Sequence, residues 1–216
     1  MPRIPRGQQA GYAYHVINRG NGRATVFHKS QDYEAFVSVM ALAKSRHPVK
    51  IFAFSLMPNH FHFVLEALHQ RSLSQFMQWL LTSHVRRYHK HYGSSGHVWQ
   101  GRFKSFPVQR DEHLLTALRY VLQNPVRSGL AASVNDWPWS SWRRRELADP
   151  CPVELDTDWV RKMEEPLSTQ QLTSIRESVN RQRPFGELAW QAKIASLFGL
   201  ESTLRSRGRP RNDVSR

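Results

Sequence analysis

The sequence predicts an α+β fold of the ferredoxin-like, RNA-recognition-like kind, with helices on one face of an antiparallel sheet, then a C-terminal helical extension and a basic tail. Two observations predict it. Hydrophobic patterning between residues 10 and 124 gives the order strand, helix, strand, strand, helix, strand, helix. The chain has 216 residues, of which 40% are hydrophobic and 22% charged, as is typical of a globular domain with an appendage.

The first half of this core has three strands and one helix. A short strand is predicted over Tyr12 to Asn18, and apolar residues at helical spacing predict a helix from Ser30 to Ser45. Val49 to Leu56 and His60 to Glu66 then read as the two strands of a hairpin, because turn residues separate them at Met57-Pro58-Asn59.

The second half adds a long helix from Ser72 to Tyr92, which ends at a glycine-rich turn. Val98 to Val108 suits a strand or a bent ribbon, and Asp111 can cap a helix that runs through Leu122. Three tryptophans follow, and such a cluster is more typical of a packing extension than of a base-stacking platform. They are Trp137, Trp139 and Trp142.

Shifts in composition divide the chain into four parts. We expect a core domain over residues 1–145, an acidic linker over 146–167, a small helical region over 168–201 and a basic tail without a fold of its own over 202–216.

The charge is strongly positive and unevenly distributed. Lysine and arginine number 31 against 17 acidic residues, a net charge of +14, which favours a phosphate-rich partner. No acidic residue occurs from position 67 to position 110, where cations alternate with aromatic residues. This mixture suits single-stranded nucleic acid, although a basic solvated surface would give the same charge.

Other classes of protein are excluded by composition. No apolar run approaches the ~20 residues that span a bilayer, and no signal-type segment follows the N-terminus, so we expect a cytoplasmic protein without a membrane partner. Cys151 is the only cysteine, which excludes an intrachain disulfide framework and a cysteine-rich zinc module.

His60 and His62 are the first candidate for chemistry. They are two residues apart on a predicted strand, so both side chains project from one face, where they can share a divalent ion. Two hydrogen-bonded histidines without a metal are the alternative. Their position in an apolar strand favours a function, because buried polar groups need partners.

Tyr120 and Asn124 are the second candidate. They are four residues apart at the end of the last core helix and therefore lie on one face of it. The asparagine can offer an amide oxygen to an ion, and the tyrosine can act as a nucleophile or be an ordinary core residue. Other residues could take these roles, namely Tyr88 and Tyr92 as nucleophiles and His113 as a third ligand.

Short motifs distributed along nearly the whole chain resemble the HUH single-tyrosine transposases of the IS200-like superfamily, and within it the REP-associated branch. Each motif is modest, but their order and spacing together are specific. The motifs are Tyr14-His15-Val16, Arg19-Gly20-Asn21, Met57-Pro58-Asn59-His60-Phe61-His62, Trp99-Gln100-Gly101-Arg102-Phe103-Lys104-Ser105, Arg119-Tyr120, Asn124-Pro125-Val126-Arg127-Ser128-Gly129-Leu130, Trp139-Ser140-Ser141, Arg183-Pro184-Phe185-Gly186 and Leu204 to Arg211.

The resemblance implies a ferredoxin-like catalytic core that cleaves and rejoins single-stranded DNA with Mg²⁺ or Mn²⁺. It implies His60 and His62 as metal ligands and Tyr120 as the nucleophile of a 5′-phosphotyrosine intermediate. Asn124 stands where other superfamily members often have glutamine, and amide chemistry is preserved. The implied substrate is a REP-type hairpin with a recognised 5′ foot, a short unpaired segment that precedes the hairpin. The branch also implies a monomer rather than a dimer. We expect the protein to act at the nucleoid.

Several basic residues are candidate DNA contacts. They are Arg19, Arg86, Arg87, Lys90, Arg102, Lys104, Arg207, Arg209 and Arg211. In the tail, Arg207-Gly208-Arg209-Pro210 is similar to the core of an AT-hook, which lies in a narrow minor groove. The alternative is a basic tail that adds only salt-dependent affinity. Glu66 falls on the histidine face by period-two counting and could touch the site.

The leading hypothesis is therefore a metal-dependent nuclease and strand transferase. A non-catalytic regulator that binds hairpin DNA or RNA with the same fold is the alternative, and it would form no covalent adduct. A metallohydrolase of small substrates is disfavoured, because no carboxylate is placed as a general base and the net charge would go unexplained.

Overall fold

The computed structural model describes residues 7–155 and 157–205. Four strands form one sheet in the order β2-β3-β1-β4, and every neighbouring pair is antiparallel. This order is that of a ferredoxin-like core, so the predicted fold class is confirmed. The strands are β1 (Ala13–Arg19), β2 (Val49–Met57), β3 (His60–Ala67) and β4 (Lys104–Val108).

The described residues form seven α-helices, and those of the core end within about one residue of their predicted bounds. They are α1 (Ser30–Arg46), α2 (Ser72–Tyr92), α3 (Glu112–Leu122), α4 (Asn124–Arg127), α5 (Trp159–Glu164), α6 (Thr169–Arg181) and α7 (Leu188–Phe198). Asp111 caps α3 as expected, since its Oδ1 accepts the backbone N–H of His113 at 2.8 Å. None of the described helices is long and apolar enough to cross a membrane.

Helices cover both faces of the sheet. On one face, Phe61 and Phe63 of β3 pack with α1 and α2. On the other, Val64 packs with Leu114 and Val121 of α3. The sequence predicts helices on one face of the sheet, which is true of α1 and α2. The third helix differs because the central strands are buried along almost their whole length on both faces, a pattern that requires cover on each side.

Both edges of the sheet are covered by chain from beyond residue 138. At β2, the backbone N–H of Leu56 donates to the carbonyl of Trp139 at 2.9 Å, and the indole ring of Trp139 stacks on Tyr33 with 4.8 Å between ring centroids. The expected packing role of this tryptophan is therefore confirmed. At β4, the N–H of Phe185 donates to the carbonyl of Pro107 at 2.9 Å. Proline is tolerated there because β4 is an edge strand.

The segment predicted as a strand or ribbon over 98–108 is a strand only from Lys104 onward. Residues 98–103 form an irregular loop, in which Gly101 has a φ of +68° that a strand does not allow. Two backbone hydrogen bonds join the loop to the end of β1, from Gln100 N to Arg19 O at 2.7 Å and from Asn21 N to Val98 O at 2.9 Å. The loop is thereby fixed beside β1.

The C-terminal part continues with α5 to α7. Helix α6 begins at a capping box in which Ser168 Oγ accepts the N–H of Gln171 at 3.2 Å, and it packs near α3 through the buried Ile175. Helix α7 places the ring of Phe198 edge-on to Tyr12 at 5.1 Å. The basic tail from residue 206, with Arg207, Arg209 and Arg211, lies outside the described residues.

Candidate functional site

The alternation of β3 determines which side chains lie under α3. His60, His62 and Val64 project toward α3, whereas Phe61 and Phe63 enter the core beneath α1 and α2. His62 is only 2% exposed, and the ring centroids of His60 and His62 are 5.1 Å apart. The structure therefore brings the two predicted ligands together on one buried face.

Tyr120 lies directly against this pair. It occupies the last turns of α3, with its ring centroid 5.7 Å from that of His62 and the two planes nearly perpendicular at 87°. The side chain is 8% exposed, so it is packed yet reachable at one edge. The packing of α3 on the sheet thus places the candidate nucleophile beside the candidate ligands.

Asn124 begins α4, one helical turn after Tyr120, and is 8% exposed. Among the described residues its side chain makes no hydrogen bond, so the amide oxygen is free to serve as a ligand. No group of three His, Cys, Asp or Glu side chains with metal-binding placement occurs in the described ranges. A metal here would depend on two imidazoles and an amide oxygen, a mixed donor set that a divalent ion accepts.

A third histidine, His15 of β1, was not predicted. Its Nε2 lies 3.0 Å from Nδ1 of His62, and its ring stacks on Phe106 with 4.8 Å between centroids. When His62 Nδ1 donates in this hydrogen bond, its Nε2 keeps a lone pair, which is the form that a metal ligand needs. The same argument that singled out His60 and His62 could have found His15, since it too is a polar residue within an apolar strand.

Asn59 fixes the tautomer of His60. The Nδ2 of Asn59 donates to the carbonyl of Arg23 at 3.0 Å, which orients the amide so that its Oδ1 faces His60 Nδ1 at 2.7 Å. Because an amide oxygen only accepts, His60 Nδ1 carries the proton and Nε2 has the free lone pair. The residues present therefore fit a metal, and the fit depends on Asn59, which the sequence predicts only as a turn residue between β2 and β3.

Burial keeps these histidines neutral. It lowers the pKa of His60 to about 4, with a further contribution from the charge of Arg19, and lowers the pKa of His15 to about 3. The pKa of His62 is also well below 6.5, because burial is reinforced by charge on its neighbours, including Arg127. Neutral imidazoles are the metal-binding form.

Arg127 is a second residue of the site that was missed. Its guanidinium carbon lies 4.4 Å from the ring centroid of Tyr120, and its Nη2 donates to the Tyr120 carbonyl at 2.5 Å. The Nη1 atom is buried without a hydrogen-bond partner among the described residues. Burial lowers the pKa of Arg127 to about 10, so it remains a cation at neutral pH. A positive charge with an unused donor therefore stands over the phenol.

The rival residues lie elsewhere. Tyr92 donates to Asp32 Oδ2 at 2.7 Å, and Tyr88 bonds to His28 at 3.0 Å, both on the α1 and α2 side of the sheet. His113 stands at the opposite end of α3 from Tyr120, where its Nδ1 pairs with Asp111. Glu66 also does not join the site, since its carboxylate forms an ion pair with Arg110 at 2.7 Å.

The candidate DNA contacts that lie within the described residues fall into two groups. Arg19 is the register partner of His60, and with Arg102 and Lys104 it lines a cleft of about 290 Å³. Arg86, Arg87 and Lys90 are exposed along α2, and of these only Arg86 lies near Arg102 through a shared cavity. The three arginines of the tail lie outside the described residues.

Comparisons with known proteins agree with this geometry. A family model described as "Transposase IS200 like" matches residues 8–124. A Haemophilus influenzae protein named "Putative REP-associated tyrosine transposase" is 29% identical over 119 residues, which are 50% of this chain and 67% of that protein. The REP-associated tyrosine transposase of Escherichia coli is 22% identical over 150 residues, 69% of this chain and 87% of its own.

A solved structure is also similar. The structure of a REP-associated tyrosine transposase bound to a REP hairpin superposes with a TM-score of 0.58 and 21% identity, covering 78% of this chain and all of the other. At this identity the likeness concerns the fold.

The buried histidines predict a loss of stability on mild acidification. An unfolded histidine has a pKa near 6.5, above the values of about 3 and about 4 in the folded protein. Below pH 6.5 the unfolded state therefore binds more protons than the folded state. The contribution of these histidines to the free energy of unfolding is fully present above pH 6.5 and decreases toward pH 4. We expect each such histidine to contribute a slope of about 1 kcal/mol per pH unit in urea unfolding between pH 6 and pH 5.

His15→Phe isolates one of these contributions, because phenylalanine preserves the aromatic stack on Phe106 but has no proton to bind. Its slope is expected to be lower by about 1 kcal/mol per pH unit, whereas Leu42→Phe, at an exposed position without a titratable group, is expected to leave the slope unchanged. A His15→Phe slope equal to that of the wild type would contradict the assignment.

Proposed function

Because the chain belongs to the family of IS200-like transposases, we propose that it is a metal-dependent endonuclease and strand transferase of single-stranded DNA, acting through a 5′-phosphotyrosine intermediate on Tyr120. The observation that carries the proposal is the contact of the buried Tyr120 with the buried His62, at 5.7 Å between the rings, beside the partly buried His60.

The substrate is a REP-type hairpin in single-stranded form with a recognised 5′ foot. Both curated relatives are named for REP elements, and the similar solved structure is bound to a REP hairpin. The charges of this chain support the same class of ligand, since Arg19, Arg102 and Lys104 line a cleft at the end of the strand that carries His60. Phosphate contacts of this kind position a nucleic acid without reading its sequence.

The residues suggest how cleavage proceeds. The Tyr120 oxygen attacks the scissile phosphorus, the bond from phosphorus to the 3′ oxygen breaks, and the leaving strand departs as a free 3′-OH. As the new phosphotyrosine ester forms on the 5′ phosphate, the phenol loses one proton and the departing 3′ oxygen gains one, so the transfer is balanced. Attack by a 3′-OH on that ester reverses the step and joins strands. Water is not needed for either transfer, which is consistent with a tyrosine that is 8% exposed.

A divalent ion, Mg²⁺ or Mn²⁺, would be held by His60, His62 and Asn124, and when bound it would polarise the phosphodiester and neutralise the charge that builds on it. The histidines contribute by being neutral and by having their Nδ1 atoms engaged, His60 with Asn59 and His62 with His15. This arrangement holds both rings in place before any ligand arrives, which reduces the cost of binding.

Arg127 supplies charge at the nucleophile. Its guanidinium lies 4.4 Å from the Tyr120 ring, so it favours the phenolate over the phenol as the proton leaves. Its unpaired Nη1 is available to an oxygen of the phosphate, and a planar guanidinium suits that geometry. In this role Arg127 would stabilise charge on a tyrosine that packing already holds in place, and the metal would still be needed.

Other expectations remain predictions. We expect residues 1–145 to act as the catalytic core, with the parts at 146–167, 168–201 and 202–216 as linker, helical region and tail. We also expect a monomer that works on DNA at the nucleoid in the cytoplasm.

The nucleophile is tested by a denaturing gel. A hairpin oligonucleotide labelled at either end is incubated with the protein and Mn²⁺ or EDTA. We expect a metal-dependent covalent adduct on the 3′ fragment only, and its complete loss in Tyr120→Phe, which keeps the ring but not the nucleophilic oxygen. Tight binding without an adduct under any metal would instead support a hairpin-binding regulator, and cleavage that survives Tyr120→Phe would support a hydrolase.

Asn59 tests the metal proposal without using activity. Asn59→Leu removes the acceptor for His60 Nδ1, and we expect it to weaken Mn²⁺ binding about 10- to 100-fold in a calorimetric or spin-resonance titration of the DNA-free protein. Asn59→Asp keeps an acceptor and should retain most of the affinity. Equal Mn²⁺ affinity in the wild type and in Asn59→Leu would contradict the assigned role, and no Mn²⁺ binding by the wild type would contradict the metal site itself.

A further inference from the structure

Helix α6 borders the candidate site although it lies beyond residues 8–124, the part of the chain that the family model matches. Its buried Ile175 and half-buried Val179 belong to the same hydrophobic cluster as Tyr120 of α3. Val179 and the next residue, Asn180, also line the cleft of about 290 Å³ that holds the candidate DNA contacts of β1, of β4 and of the loop between α2 and β4. The helix is therefore one wall of this cleft, which we call the basic cleft.

The chain that follows α6 fixes the helix against the sheet. Phe185 pairs with the edge strand β4 through two backbone hydrogen bonds of 2.9 Å, one donated to Pro107 and one accepted from Gln109. Gly186 has no room for a side chain, because a Cβ atom there would lie 2.8 Å from Cβ of Gln109. The motif Arg183-Pro184-Phe185-Gly186, which the proposed chemistry does not use, thus holds α6 beside the basic cleft.

Arg176 stands on the cleft side of α6, one turn before Asn180. Counted around the helix at about 100° per residue, its direction falls between those of Val179 and Asn180, which both line the basic cleft. The residue is exposed, and among the described residues its guanidinium has neither an ion pair nor a hydrogen bond. The acidic residue of α6, Glu177, is paired with Arg183 at 3.1 Å. The charge of Arg176 is therefore available to a ligand in the cleft.

Arg176 also lies near Arg127, whose guanidinium covers the ring of Tyr120. Burial is the main cause that lowers the pKa of Arg127 to about 10, and the charge of Arg176 lowers it further. Neither guanidinium has a carboxylate partner among the described residues. Two neighbouring cations that repel each other favour an anion bound between them. A phosphate has the charge and the acceptor atoms for this position, and a planar guanidinium binds it through paired hydrogen bonds.

We propose that Arg176, together with Asn180, binds a DNA phosphate next to the scissile one, so that α6 positions the strand between the basic cleft and Tyr120. The inference rests on the proposed function and gives a part in it to the C-terminal region, which the sequence predicts only as a small helical region. Arg176 is a positioning residue, since it holds a neighbouring phosphate and takes no part in the bonds that form and break.

The test removes single charges from the protein and from the DNA. Anisotropy titrations in EDTA measure the affinity of the full chain for a REP-type hairpin with a single-stranded extension, in which a neutral methylphosphonate replaces each phosphate of the extension in turn. Arg176→Gln removes the guanidinium, and Arg176→Lys keeps the charge without the planar fork. Arg181→Gln is the matched control, because it removes the same charge from the same helix at a position that does not line the cleft.

We expect Arg176→Gln to weaken binding about 5- to 20-fold. It should also reduce the slope of log affinity against log salt concentration by about 0.7, the contribution of one phosphate contact on a single strand. At one linkage, the methylphosphonate should weaken binding by the wild type and by Arg181→Gln to a similar extent, but change the affinity of Arg176→Gln less than about twofold. Arg176→Lys should recover part of the affinity.

Two results would overturn the proposal. One is equal affinity of Arg176→Gln and Arg181→Gln for the unmodified hairpin. The other is a methylphosphonate penalty that is the same in Arg176→Gln as in the wild type at every linkage, because a merely structural role would give no coupling to a single phosphate.

The adduct gel separates this outcome from the proposed function. If the wild type forms the Tyr120 adduct and no linkage is coupled to Arg176, the phosphate contact fails and the nuclease stands. If one linkage is coupled to Arg176 but no adduct forms, the phosphate contact stands and the nuclease fails.

Discussion

The site depends on the burial of β3 from both sides. Phe61 and Phe63 point into the core beneath α1 and α2, so the residues that alternate with them along β3 must point under α3. This period-two constraint places His60 and His62 on one face, and the packing of α3 on that face places Tyr120 against them. If α3 did not cover the sheet, the histidines would be solvated, their pKa values would return toward 6.5, and the tyrosine would be elsewhere.

Burial of polar side chains has a cost, and the protein offsets only part of it. The His62–His15 hydrogen bond at 3.0 Å and the stack of His15 on Phe106 compensate for lost hydration. Of the buried side-chain atoms that lack a hydrogen-bond partner among the described residues, two belong to this site, His15 Nδ1 and Arg127 Nη1. An unpaired buried group calls for an explanation, and a bound ligand is one. A phosphate close to Tyr120 would satisfy the arginine, which agrees with the proposed chemistry.

The sequence predicted the fold and the central residues because both follow from short-range periodicity. Alternation in β3 identified the His60 and His62 face, and helical spacing linked Tyr120 to Asn124. The second covered face of the sheet was not predicted, because the pattern of residues along a strand does not say which helix covers which side. The roles of His15, Asn59 and Arg127 could not be derived either, since each depends on a contact between elements, such as the turn at Arg23 that orients Asn59. The strand predicted over 98–108 is too long. The positive φ of Gly101 and the backbone hydrogen bond from Gln100 to Arg19 hold residues 98–103 as a loop.

The proposed chemistry requires the nucleophile to lie on the α3 side of the sheet with the histidines. Peptide mapping by mass spectrometry of the covalent complex, after nuclease digestion of the DNA, tests it most directly. Cleavage by trypsin after Arg119 and after Arg127 yields a peptide that contains one tyrosine, Tyr120. We expect the nucleotide adduct on this peptide. An adduct on Tyr88 or Tyr92 would contradict this placement, because both tyrosines lie on the opposite side of the sheet, with α1 and α2.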